Sequence, residues 1–192
     1  MERLEWLIVG GGIHGVHHAV RLLGEAGVQP RALRLVDPGI ELLDTWRRCT
    51  ANTGMRYLRS PAVHHLDVDP WSLHRFAGTS ARGRGKRAKG LYRAPYDRPA
   101  VSLFARHCDA LVQRYGLHDL HLRERVVDLN LACDGARVQL DSGQVVEAER
   151  VLLAMGASAQ PRWPAWAQAL QRDGAFVRHV FRVDKSFQND FR

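Results

Sequence analysis

The sequence predicts an α/β fold: a central parallel sheet with flanking helices and a small antiparallel β-meander. Three observations lead there. Apolar residues Trp6, Leu7, Ile8 and Val9 run straight into Gly10, Gly11 and Gly12, with Gly15 and Ala19 beyond. A helical pattern follows, then a second apolar run that ends in Asp37. Later, short alternating segments broken at Asp134-Gly135 and Ser142-Gly143 lead into the apolar run Val151-Leu152-Leu153-Ala154. The first two observations describe GxGxxG inside one βαβ unit, the nucleotide-binding start of a Rossmann-type domain.

The chemistry of a dinucleotide asks for these residue types. Gly10 lets the chain turn sharply out of the strand, and Gly12 has no side chain to keep a pyrophosphate from the backbone. Gly11 lies between them in the turn. Gly15 and Ala19 let the helix pack closely on the sheet. The first N–H groups of that helix, and its dipole, favour phosphate charge. Asp37 stands about 20 residues after the glycines, where an acid accepts hydrogen bonds from a ribose.

The elements follow in order. Residues 4 to 9 form strand one, and residues 13 to 26 a helix ended by Gly27 and Pro30. Residues 33 to 37 form strand two, stopped by Pro38-Gly39. Leu42, Leu43 and Trp46 give residues 41 to 48 one apolar face of a short helix. Residues 49 to 78 have no clear period and read as a structured excursion over a ligand, the excursion as a whole spanning 45 to 99. Pro95, Asp97 and Pro99 introduce a helix over 100 to 115, ended by Gly116. The meander occupies about 119 to 149, and residues 151 to 154 form a buried strand. Residues 161 to 166 read as a turn, 174 to 183 as one more strand, and 182 to 192 as a polar tail. The domain is therefore expected over 1 to 181.

Composition narrows the function classes. No apolar run approaches the roughly 18 residues of a membrane span. The chain enters a strand directly from its first residues, so no signal peptide is expected. Cys49, Cys108 and Cys133 are widely spaced, odd in number and without a CxxC, which suits free thiols in a reducing cytoplasm. The formal net charge is +8, and much of the excess lies in Arg82-Gly-Arg84-Gly-Lys86-Arg87-Ala-Lys89-Gly-Leu-Tyr-Arg93. That short run, with one tyrosine and no repeat, reads as a solvated loop and not as a nucleic-acid segment. His14, His17 and His18 share one helix, but no acid or cysteine completes a metal site beside them. No GxSxG, Walker or HExxH motif occurs, so hydrolase readings lack support. No catalytic residue stands out.

With GGGIHG, Asp37, the meander and VLLAMG in place, the chain resembles the FAD domain of two-dinucleotide-binding flavoproteins. The glycine signature extends to GxGxxGxxxA, from Gly10 to Ala19. VLLAMGAS is similar to their second signature, with Met155 in place of the usual threonine. The middle segments TGMRYLRSPAVHHLDVDPWSLHRFA and RAPYDRPAVSLFARHCDALV resemble the lysine and ornithine N-monooxygenase-like flavoproteins. The resemblance covers about residues 4 to 181.

It implies a Rossmann-like FAD-binding domain in which Gly10, Gly11, Gly12 and Gly15 hold the pyrophosphate and Asp37 the adenosine ribose. Trp46 and the stretch from Met55 to Ser60 would lie along the flavin side. Val126 would contact the adenine through its backbone, and Ala154 and Gly156 would pass close to the cofactor. In such enzymes NADPH reduces FAD, and the reduced flavin with oxygen oxygenates a small amine. No second GxGxxG for NADPH occurs, and the family's closing strand is not found. The expectation is the first half of such an enzyme, doubtful in turnover with NADPH, with an unpaired sheet edge that invites oligomerisation. Two alternatives stay open: a single-domain NAD(P)-dependent oxidoreductase and a non-catalytic nucleotide-binding protein.

Overall fold

A computed structural model of the chain describes residues 3–81, 90–157, 161–177, 179 and 181. The chain enters through β1 (Leu4–Val9), turns at the glycines into α1 (Ile13–Gly24), and returns through a short 3-10 turn to β2 (Leu33–Val36). Then come α2 (Asp44–Asn52), α3 (Ser72–Ala81), a two-residue hairpin of β3 (Tyr92–Arg93) and β4 (Arg98–Pro99), and α4 (Val101–Arg114). β5 (His121–Leu122), β6 (Val126–Ala132), β7 (Gly135–Leu140), β8 (Val145–Leu153) and α5 (Ala165–Arg172) complete the order.

The main sheet has six strands in the order β5-β2-β1-β8-β7-β6. Its first four strands are parallel neighbours; β8, β7 and β6 are antiparallel. The α/β Rossmann-like architecture with its meander is therefore as the sequence predicts. Alternation along the strands splits the core in two. Ile8, Leu33 and Leu35 pack with Val16, Ala19 and Val20 of α1 and with Leu103, Phe104 and Leu111 of α4. Leu7 and Val36 turn to the other cluster, with Val138, Leu140, Val146 and Ala148 of the meander. Period two in the strands and the i, i+3, i+4 spacing of α1 are what sort these residues.

Several elements differ from the sequence reading, each for a local reason. The helix expected over 41 to 48 begins at Asp44, because Leu43 sits in the left-handed region with φ +67°. α3 begins inside the stretch without a period and runs three residues past it; its apolar positions Leu73, Phe76 and Ala77 are diluted by His74 and Arg75. His121 and Leu122 fall within the expected meander but pair in parallel with β2. The strand expected over 151 to 154 is the end of the longer β8, and it is not buried throughout: Leu153 is 60% exposed. Residues 161 to 166 are not simply a turn, since Pro164 caps α5. Gly174 to Val177 are not strand; residues 178, 180 and 182–192 lie outside the described residues, as do 82–89 of the basic run. Among the described residues no helix is long and apolar enough to cross a membrane.

Candidate functional site

The glycine loop is shaped by contacts that a side chain would destroy, except at one position. Gly10 has φ +113°, and a Cβ there would lie 2.5 Å from the Ala154 carbonyl oxygen. A Cβ on Gly15 would lie 1.8 Å from the Gly10 carbonyl oxygen. At Gly11 it would meet Leu42 Cδ2 at 2.8 Å and Asp37 Cβ at 3.0 Å. At Gly12 it would meet nothing within 4 Å. Gly10 and Gly15 are thus required by contacts with backbone, Gly11 is tightly packed against side chains, and Gly12, at the N-terminus of α1, has none of the described residues within reach. No side chain caps that terminus, and no acid lies in its first turn. Its dipole is left to an outside anion.

Asp37 braces the loop. Its Oδ2 accepts from the Gly11 N–H at 2.7 Å and its Oδ1 from the Gly39 N–H at 2.8 Å. Each carboxylate oxygen keeps a second lone pair with which to accept from a ligand hydroxyl. Leu43 supports the loop from the far side: its N–H donates to the Gly11 carbonyl at 2.7 Å. A buried leucine at positive φ costs about 1 kcal/mol or more, so this strain is held in place by the bond to the loop and by core packing.

Of the residues singled out in the sequence, the fold brings Gly10, Gly11, Gly12, Gly15, Asp37 and Ala154 together. The Ala154 N–H donates to the Val9 carbonyl at 2.7 Å, which sets the end of β8 beside the end of β1. Gly156, at φ +63°, turns the chain away just beyond and is exposed. Trp46 is half-buried and tilts against Phe104, with ring centroids 5.3 Å apart. Met55 is half-buried against the α1–α4 core, just after α2. Val126 opens β6, three strands from β1, beside a register shift between Val126 and Asp128.

A buried polar chain escaped the sequence reading, because its members meet only in three dimensions. The Asp67 N–H donates to His65 Nδ1 at 3.1 Å, so His65 Nε2–H donates to the Pro70 carbonyl at 3.0 Å. The Ser72 hydroxyl donates to Asp67 Oδ2, and Ser72 Oγ therefore accepts from His107 Nε2–H at 2.9 Å. With serine in the middle, giving its proton to the acid, this is no nucleophile triad. His107 Nδ1 is buried without a hydrogen-bond partner among the described residues. Burial, and secondarily the nearby His65, push His107 down to about 4, with Asp67 opposing. Burial also lowers His65. Among the described residues no three His, Cys, Asp or Glu side chains gather as metal ligands do.

That depression has a sign. Between about pH 4 and 6.5 the unfolded chain binds a proton at residue 107 that the native chain refuses, so stability falls as the pH drops. The loss at pH 4 relative to pH 7 is about 3 kcal/mol from this group. Urea midpoints at pH 7 and pH 4 should show it, and His107→Gln should narrow the difference. An unchanged difference in the variant would place the acid sensitivity elsewhere.

Solved structures share the fold. A flavin-containing monooxygenase from Stenotrophomonas maltophilia superposes with a TM-score of 0.56 at 19% identity, over 85% of this chain and 42% of its own. A cyclohexanone monooxygenase variant from Rhodococcus sp. Phi1 bound to NADP+ gives 0.57 at 16% identity, over 84% of this chain and 28% of its own. OTEMO in complex with FAD and NADP gives 0.56 at 15% identity, over 84% and 27%. This chain thus spans less than half the length of each. No curated protein matches it by sequence. The FAD-NAD(P)-binding family model matches residues 7–158, and the chain belongs to that family.

Proposed function

We propose that the chain is the FAD-binding unit of an oxidoreductase of the flavin monooxygenase type. The observation that carries the reading is the contrast among the glycines: at Gly10, Gly11 and Gly15 a Cβ would meet the protein itself, while at Gly12, at an uncapped helix start, it would meet none of the described residues within 4 Å. In this reading the backbone of Gly10, Gly11, Gly12 and Gly15 holds the pyrophosphate, and Asp37 takes the ribose. Val126 meets the adenine through its backbone, while Trp46, Met55, Ala154 and Gly156 border the flavin side. Bound FAD would supply redox chemistry that amino-acid side chains lack. The chain's own part is to bind, to orient and to keep water away.

FAD is preferred over a nicotinamide tenant because the meander interrupts the plain βαβ alternation, and because flavin monooxygenases share the fold. The finer reading, NADPH-driven oxygenation of a small amine, rests on the resemblance of the middle segments. It calls for an NADPH-binding unit besides this FAD-binding one.

Titration with FAD and, separately, with NAD(P)H tests the coarse reading. The expected result is a yellow complex with FAD whose flavin fluorescence is quenched, and much weaker binding of NAD(P)H. Preference for NAD(P)H would overturn it in favour of a nicotinamide enzyme. Reduction of the bound FAD by dithionite, followed by reoxidation in air with and without amines, tests the finer reading without an NADPH-binding unit; amine oxygenation supports it, and bound FAD that dithionite cannot reduce favours a non-catalytic role.

A further inference from the structure

A second feature lies away from the glycine loop. α3, residues 67–69 before it and the later part of α4 line an open cleft of about 500 Å³, within the roughly 300–1,000 Å³ usual for small-molecule sites. β5 pairs in parallel with β2, so α4 must run from the sheet edge that carries the glycine loop back to the opposite edge. The cleft includes Ala110, Leu111 and Arg114 from the end of α4, and it therefore sits toward that opposite edge.

Its charged groups differ in what they have left to give. Asp67 accepts from the Val68 N–H at 2.8 Å and from the Ser72 hydroxyl, which His107 holds in turn. Asp69 accepts from the Trp71 N–H at 3.0 Å and pairs with Arg75. Both carboxylates are largely committed to the fold. The arginines are paired as well but keep donors to spare: Arg75 pairs with Asp69, and Arg114 lies 3.7 Å from Asp67 Oδ2 and 5.4 Å from the centre of the Tyr115 ring, while each guanidinium has five donors. The Arg75 and Arg114 side chains are 61% and 66% exposed. Beside its polar members the lining includes the apolar residues Val68, Phe76, Ala110 and Leu111.

We propose that this cleft binds an organic anion with an apolar body, its carboxylate taken by Arg75 and Arg114 and its hydrocarbon laid against Phe76 and Leu111. Guanidinium is the group for this task, because its planar fork matches a carboxylate with two parallel bonds. The polar chain from His107 through Ser72 fixes Asp67, which keeps the wall beneath Arg114 rigid. The proposal stands apart from the FAD reading and does not need it.

Calorimetric titration of the full chain with 4-phenylbutyrate tests it, with 4-phenylbutylamine and inorganic phosphate as parallel arms. The expected result is a Kd of about 1 mM or tighter for phenylbutyrate, with the amine and phosphate at least about tenfold weaker. Arg114→Gln should weaken phenylbutyrate about fivefold in a protein that still unfolds cooperatively in urea, and adding Arg75→Gln should remove binding from the measurable range. Should the double variant not fold, the single variant decides. Equal binding of the amine or of phosphate overturns the proposal, as does phenylbutyrate binding indifferent to Arg114→Gln, or no binding of phenylbutyrate at all.

Discussion

Gly12→Ala and Gly15→Ala should part company. At Gly15 the added methyl would stand 1.8 Å from the Gly10 carbonyl, which is backbone and cannot step aside. The helix must then move off the sheet, at a cost of about 3 kcal/mol or more. FAD binding and stability should be lost together. At Gly12 the methyl meets nothing within 4 Å, and the backbone there (φ −77°, ψ −168°) is one that alanine adopts freely. Its thermal midpoint should stay within about 2 °C of the parent. Its affinity for FAD should nevertheless fall at least about tenfold, because the methyl occupies the space proposed for the pyrophosphate. Thermal melts beside flavin-fluorescence titrations read both quantities. Full FAD affinity in Gly12→Ala would mean that the open side of the loop is not where the phosphates lie.

Asp37→Ala carries the second large effect. Removing the carboxylate strands the Gly11 and Gly39 N–H groups, each of which now donates to it. With both sites partly open to water, the expected destabilisation is about 2 to 3 kcal/mol. Asp37→Asn keeps one acceptor and turns an N–H₂ toward the other donor, so a smaller loss of about 1 to 2 kcal/mol is expected. Both variants should bind FAD at least about tenfold more weakly, since the ribose contact and the loop's brace go together. Urea unfolding and FAD titration of the pair check this. An Asp37→Ala protein as stable as the parent would show that Leu43 and the packing hold the loop without the acid.

The parts legible in the sequence are those whose signal is local. β1, α1 and β2 are written in consecutive residues, because glycine spacing and apolar runs act over a few positions. The brace between Asp37 and Gly11 was readable only as an acid in the right place; its actual partners are backbone groups that no composition reveals. α3 leaves no clear pattern in the sequence because His74, Arg75 and the small residues around Gly78 thin its apolar face, and tertiary packing of Leu73 and Phe76 supplies what the pattern lacks. α5 was hidden by the two prolines before it, although a proline at a helix start is well tolerated. The chain His107–Ser72–Asp67 joins residues 35 positions apart, and only the packing of α3 on α4 makes them neighbours.

β8 does two jobs along one line. Ala148 is the shared point: it pairs with Ala136 of β7 on one side and with Leu4 of β1 on the other. The nine residues of the strand span roughly 27 Å at the usual rise. One end anchors the antiparallel ribbon that leads to Val126; the other delivers Ala154 to the glycine turn. The strand thus couples the packing of the meander to the position of the glycine turn. Deleting a single residue from it would shorten its path by about 3 Å and turn Val146 and Ala148 outward from their cluster. Length and facing are locked together there, so the strand tolerates altered side chains far more readily than an altered count.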